Sequence, residues 1–163
     1  MIYYYYKSKE GLYLAVLKES YRRIRDVETE FQLEGLPRMF ALRRLVEIIV
    51  DYQATHSDLI RVIMTENIHN GAYIRQLPDL KPAHRRAFEL IKGLCKRGVE
   101  EGVFRSDFDP VDLHMSICAL SFFNVSDQHT FGYLSDREFT DKAVHSARRA
   151  AIVDTIARYA QAP

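Results

Sequence analysis

Apolar positions recur at three- and four-residue intervals from Tyr13 to Tyr159, and nowhere settle into the two-residue alternation of a half-buried strand. Tyr13, Leu17, Tyr21, Ile24 and Phe31 define a first helix over residues 9–33, about 37 Å long. Gly35 and Pro37 close it and open a second over 37–55, with Leu42, Leu45, Ile49 and Tyr52 on one face and Met39 and Val46 beside them. Ser57 caps a short, strongly apolar third helix through Leu59, Ile60, Val62, Ile63 and Met64. Gly71 and Leu77-Pro78 interrupt the chain before a fourth helix, which starts near Pro82, carries Phe88, Ile91, Leu94, Cys95 and Gly98 in rhythm, and stops at Gly102. Asp109 and Pro110 read as the cap and first position of a fifth, running to Thr130. Leu113, Met115, Ile117, Leu120, Phe122 and Phe123 surround that fifth helix, which is therefore expected to be buried on more than one side. Ser135-x-x-Glu138 offers a capping box for a last helix through Val144, Ala147, Ala151, Ile156 and Tyr159. The pattern predicts an all-α fold, a bundle of six or seven helices.

Composition narrows this without changing it. A chain of 163 residues with 47% hydrophobic content fits one compact domain, which should bury about 70% of its unfolded surface. A charged fraction of 28%, with 7 Gly and 5 Pro, argues against disorder and against a turn-rich β fold. No stretch reaches the ~18 apolar residues of a membrane span, and the start lacks a signal-peptide core. Cys95 and Cys118 lie in apolar helical settings and form no ligand cluster, so a reduced, cytoplasmic protein is expected. The net charge of +1 hides an asymmetry: residues 1–25 hold six Lys and Arg against two Glu, a balance of +4, and the rest hold 17 against 20, a balance of −3. A basic end on a mildly acidic body suits contact with phosphate at one end only.

That basic end contains the run Ile2-Tyr3-Tyr4-Tyr5-Tyr6-Lys7-Ser8-Lys9-Glu10-Gly11-Leu12. Four adjacent helical side chains point about 100° apart, so the tyrosines cannot all face one core. Ser8 is a good N-cap and Glu10 lies in the first turn, where the helix dipole favours negative charge. The run resembles the junction of tetracycline-repressor (TetR) family regulators, in which the DNA-reading helix ends and the long helix to the ligand domain begins. Members typically carry Leu-Tyr-Tyr-Tyr-Phe-Lys-Ser-Lys-Glu-Glu-Leu there, preceded by about thirty residues of helix-turn-helix. Gly11 stands where the family supplies a capping-box glutamate, so the reciprocal bond is lost. The resemblance implies that residues 1–8 are a remnant of the helix-turn-helix DNA-binding domain, and 9–163 the ligand-binding and dimerisation domain. It places Tyr3, Tyr5 and Lys9 at phosphate contacts and Tyr6 in the core. Met1 and Ile2 stand where threonine and leucine are common, so base-edge reading is missing or altered. Glu101-Gly102-Val103-Phe104 followed by Arg105-Ser106-Asp107-Phe108-Asp109-Pro110, together with Glu66-Asn67 and Leu77-Pro78-Asp79-Leu80, are similar to one branch of the family's C-terminal domains.

The function implied is a ligand-responsive, DNA-binding transcriptional regulator of repressor type, working as a homodimer on operator DNA and released by a small-molecule effector. No cofactor, metal or catalytic residue is expected. Polar residues set in apolar faces are the ligand candidates: Tyr52, His56, Glu66, Asn67, Tyr73, Ser121 and Asn124. With the apolar residues Phe88, Ile91 and Phe122, the set Tyr52, Glu66, Asn67 and Asn124 is expected to line an effector pocket. Each is equally an ordinary satisfied polar or core group. Dimer contact is expected from the fifth and last helices, where Phe122 and Phe123 are apolar and Ala143, Ala147, Ala150 and Ala151 permit close approach.

Two rival classes share the same residues. Glu66-x-x-His69 puts a carboxylate and an imidazole on one helix face, as a helical-bundle enzyme or metal protein would need. Di-iron bundles need that pair twice, and His114, His129 and His145 lack a glutamate three residues earlier. No Gly-rich phosphate loop is present. The other rival is a dimeric interaction module without DNA binding.

Overall fold

The computed structural model describes residues 5–29, 33 and 35–163, and among them the regular structure is helical. Seven α-helices follow one another: α1 Lys9–Thr29, α2 Arg38–Thr55, α3 Ser57–Ile68, α4 Leu80–Glu100, α5 Pro110–Ser126, α6 Gln128–Leu134 and α7 Lys142–Ala160. A 3₁₀ turn, Ile74–Gln76, joins α3 to α4. The expected end of the first helix, with Phe31, lies outside the described residues.

The chain divides into two compact units, residues 1–31 with 61–87, and residues 32–60 with 88–163. In the second unit α2, α5 and α7 pack on one another. Ala41, Leu42, Leu45, Val46 and Val50 are the buried face of α2, so the core stripe is rotated from the expected one and Ile49 and Tyr52 lie at its margin. Leu113, Ile117, Ser121 and Val125 are the buried stripe of α5; Ile152, Val153, Ile156, Ala157 and Ala160 that of α7. These i, i+4 rows are what a helix needs to close over a neighbour.

Three sequence expectations are corrected here. The fifth helix is not buried on more than one side: Val111, Met115, Ala119 and Phe123, one full stripe, face solvent. It also ends at Ser126, and α6 begins after Asp127. Glu138 caps no helix. Its carboxylate accepts from the Thr140 N–H and hydroxyl, and Asp141 caps α7 by accepting from the N–H groups of Ala143 and Val144 at 2.8 and 3.1 Å. An aspartate directly before the first turn, in extended backbone, does this better than a serine six residues upstream.

The link from α4 to α5 is fixed by glycine. Gly102, at φ 69°, turns the chain out of α4 in the left-handed region. The N–H groups of Val103 and Phe104 then return to the Gly98 carbonyl at 2.9 and 3.0 Å. The Phe104 ring, buried, lies directly on Gly98, where a Cβ would run into it. Arg105 N–H donates to the Ala160 carbonyl and Ala162 N–H to that of Val103, both at 3.0 Å, tying this link to the end of α7. Asp109 accepts from Val111 N–H at 2.7 Å and Pro110 opens α5, as the sequence predicts.

Candidate functional site

At the start of the described chain Tyr5 and Tyr6 are helical, and Lys7 breaks that helix with φ 61°. Ser8 N–H donates to the Tyr6 carbonyl at 2.7 Å, and Ser8 Oγ accepts from Gly11 N–H at 2.9 Å, so the serine caps α1. A Cβ on residue 11 would strike the Tyr6 carbonyl oxygen. Glycine therefore does more than omit the capping-box carboxylate: it lets the preceding turn fold back on the helix start. Tyr5 is 74% exposed and Lys9 is exposed, while Tyr6, expected in the core, is 42% exposed. Tyr3 lies outside the described residues, as do Met1, Ile2 and Tyr4. Of the basic residues of α1, Lys18 meets Asp79 at 3.7 Å, and Arg22 and Arg23 share Glu19 at 2.8 and 3.1 Å. Among the described residues Lys7 and Lys9, at the turn, make no ion pair.

One turn into α1, Tyr13 meets a buried carboxylate. Glu66 of α3 is 3% exposed. Its Oε2 accepts from the Tyr13 hydroxyl at 3.1 Å, and its Oε1 accepts from the N–H groups of Tyr73 and Ile74 at 2.9 Å each. The Tyr13 and Tyr73 rings meet edge-on at 4.9 Å, and His69 tilts against Tyr73 at 5.6 Å. Burial first, and then the Glu66 hydrogen bond, push the Tyr13 hydroxyl up to about 12. The glutamate of the Glu66-x-x-His69 pair is occupied as an acceptor for three donors, joining α1, α3 and the turn before α4. Among the described residues no group of three His, Cys, Asp or Glu is gathered that could hold a metal ion.

Each of the remaining ligand candidates has its own local surroundings. Asn67 is exposed, its amide donating to the Ile63 carbonyl at 2.9 Å. Tyr52 stacks on His56 at 4.0 Å. Phe88 meets His114 edge-on at 5.2 Å, and Ile91, 3% exposed, is core. Phe122 is half-buried. Among the described residues, Asn124 of the expected set and Ser121 of the wider candidates line a defined cleft. That cleft, of 290 Å³, opens between the C-terminal ends of α2 and α5 and the start of α7. Val50 and Ala54, Ser121 and Val125, and Phe139 supply its walls, and Lys142, His145 and Arg148 edge it. Arg148 Nε donates to Asn124 Oδ1 at 3.0 Å. Sequence reasoning missed the three basic residues. They fall at i, i+3 and i+6 of α7, one side of the helix, but the charge pattern there is indistinguishable from an ordinary solvated face.

The solvent stripe of α5 is extended by α6: Phe123 meets Phe131 edge-on at 5.5 Å, and Phe131 tilts against Phe139 at 6.0 Å. Met115 is 62% exposed, and Ala143, Ala147, Ala150 and Ala151 face solvent on α7.

Comparison with known proteins follows the same lines. A family model described as tetracyclin repressor-like, C-terminal domain, matches residues 39–156. The HTH-type transcriptional repressor NicS of Pseudomonas putida is 31% identical over 142 residues, which cover 87% of this chain and 67% of that protein. A TetR transcriptional regulator of Chloroflexus aurantiacus, solved as a crystal structure, superimposes with a TM-score of 0.68 at 16% identity, over 100% of this chain and 79% of that one. No helix among the described residues is long and apolar enough to cross a membrane.

Proposed function

Because the chain belongs to the TetR family of transcriptional regulators, which are not enzymes, we propose that it is the effector-responsive part of a homodimeric repressor whose DNA contacts lie beside the start of α1. The observation that carries this reading is the Glu66 lock. A buried carboxylate ties the second turn of α1, at Tyr13, six residues after Lys7 of the exposed tyrosine–lysine turn, to α3 and to the turn before α4. A change in α3 or in that turn is therefore transmitted to α1, which starts at Lys9 and follows directly on the turn after Tyr5 and Tyr6. Tyr5 and Lys9, with Tyr3, contact phosphates, which position a protein without reading bases.

The exposed stripe Val111, Met115, Ala119 and Phe123 supports a dimer built on α5, with the alanine-lined face of α7 admitting close approach. A stable interface of this kind buries roughly 2,000 Å² or more. Two half-sites then lie about 34–36 Å apart on DNA, so a small rotation of each α1 decides whether both engage.

The test uses the full-length protein and DNA from upstream of its own gene, followed by fluorescence anisotropy. A thermal-shift screen of small aromatic and heterocyclic metabolites supplies the ligand. Release of the DNA on ligand addition is expected, with an affinity that falls steeply with salt. DNA held equally tightly by free and ligand-saturated protein would overturn the reading.

A further inference from the structure

We propose that the cleft between α2, α5 and α7 is a binding site for a small organic anion, a carboxylate on a compact apolar body, held by Arg148 and Asn124. The cleft's lining contains no aspartate or glutamate and contains Lys142, His145 and Arg148. Among the described residues Arg148 meets no carboxylate; its one polar contact is Nε to Asn124 Oδ1 at 3.0 Å. That bond fixes the plane of the guanidinium and leaves its terminal N–H groups for a ligand. Asn124 uses its oxygen on Arg148, which leaves its NH₂ as a second donor on a residue of the same lining. A planar fork of donors with a neighbouring amide matches a carboxylate, which accepts two parallel bonds.

Carboxylates on the segments that form the cleft have partners of their own. Asp51 accepts from Arg149 at 2.9 Å and meets His145 at 3.3 Å; Glu138 serves Thr140; Asp141 caps α7. The charge left over at the cleft is that of Arg148 and, at the exposed rim, Lys142. The rest of the lining joins an apolar wall of Val50, Ala54, Val125 and Phe139, suited to the body of the ligand, to the uncharged polar side chains of Thr55, Ser121, Gln128 and Thr140. A volume of 290 Å³ lies at the small end of ligand pockets, about 300–1,000 Å³. It therefore suits a single ring or short chain.

The proposal deepens the effector-responsive reading and rests on it for its consequence, while binding itself is measured without DNA. Isothermal titration of the full-length protein with benzoate, hexanoate, their neutral amides and inorganic phosphate is the experiment. At least one of the two carboxylates should bind. Its amide should bind about ten- to a hundredfold more weakly, as expected for loss of a charge-assisted hydrogen bond. Arg148→Met, which keeps the apolar stem, should weaken the carboxylate by a similar factor. Ala54→Phe, a change at an exposed position of the wall, should exclude it without disturbing the core. Binding of neither carboxylate, equal binding of acid and amide, tighter binding of phosphate, or indifference to both substitutions would each overturn the proposal. Anisotropy with DNA is read separately. Carboxylate binding that needs Arg148 and leaves DNA affinity unchanged keeps the anion site and removes its regulatory role.

Discussion

Gly98 shows how much one side chain can decide. The Phe104 ring occupies the space a Cβ would need, and the Gly98 carbonyl also accepts the two N–H groups that turn the chain toward α5. Gly98→Ala should therefore destabilise the protein by roughly 1–3 kcal/mol, the cost of forcing a methyl into a packed site, although alanine is the better helix former. Urea denaturation monitored by circular dichroism checks this; an unchanged midpoint would mean that Phe104 moves aside at no cost. Tyr13 makes a prediction in pH. Its hydroxyl is raised from the ordinary 10 to about 12 by burial and by Glu66, so folding favours the protonated phenol. The contribution is present in full below pH 10 and lost as pH rises through about 12. In a tyrosinate absorbance titration, Tyr13→Phe should remove a phenol from the late part of the curve; loss from the part near pH 10 would contradict the hydrogen bond.

Among the elements, α5 departs most from what its sequence suggests. Its composition is apolar on every side, and periodicity alone implies burial all round. One i, i+4 stripe is core and the opposite stripe is solvent-facing, the stripe proposed above for the dimer. Met115→Glu with Phe123→Glu should convert a dimer to a monomer near 19 kDa while the helical spectrum is kept. Light scattering at micromolar concentration decides it, and an unshifted mass would place the interface elsewhere. Legibility followed the same physics. Helix starts marked by a single strong signal, such as Asp109-Pro110 and Ser57, were readable to within a residue. The cap of α7 was misread because Asp141 and Ser135 carry similar local chemistry and only the path of the chain chooses between them. The pocket was least legible. Tyr52, Asn67, Phe88 and Asn124 look alike as polar or aromatic interruptions, and which of them converge depends on helix rotations that periodicity does not fix. Arg148 and Lys142 carried no mark separating a binding face from a solvated one.

For the whole molecule the consequence lies in coupling between sites. An effector that opposes DNA binding does so with a coupling free energy, typically about 1–3 kcal/mol or a factor of roughly 5 to 150, and DNA must weaken the effector by the same factor. On the proposed function Glu66 is the point at which such coupling would enter α1, since its two oxygens serve Tyr13 on one side and the Tyr73 and Ile74 amides on the other. Glu66→Gln keeps the size of the side chain. With its oxygen on the Tyr73 and Ile74 amides, its NH₂ meets Tyr13 Oη, which must turn from donor to acceptor, so the charge-assisted bond from Tyr13 is lost. Loss of such a bond costs roughly 1–3 kcal/mol in stability, well short of what unfolds a typical domain. The exposed tyrosine–lysine turn is unaltered, so DNA affinity without effector should stay within a few-fold. The fold-change in DNA affinity on saturation with effector should shrink toward one. The measurement is a full cycle: effector affinity with and without DNA, and DNA affinity with and without effector, for both proteins. A variant that keeps the wild-type fold-change would show that the signal reaches α1 by another route, and Glu66 would then be an anchor of the fold alone.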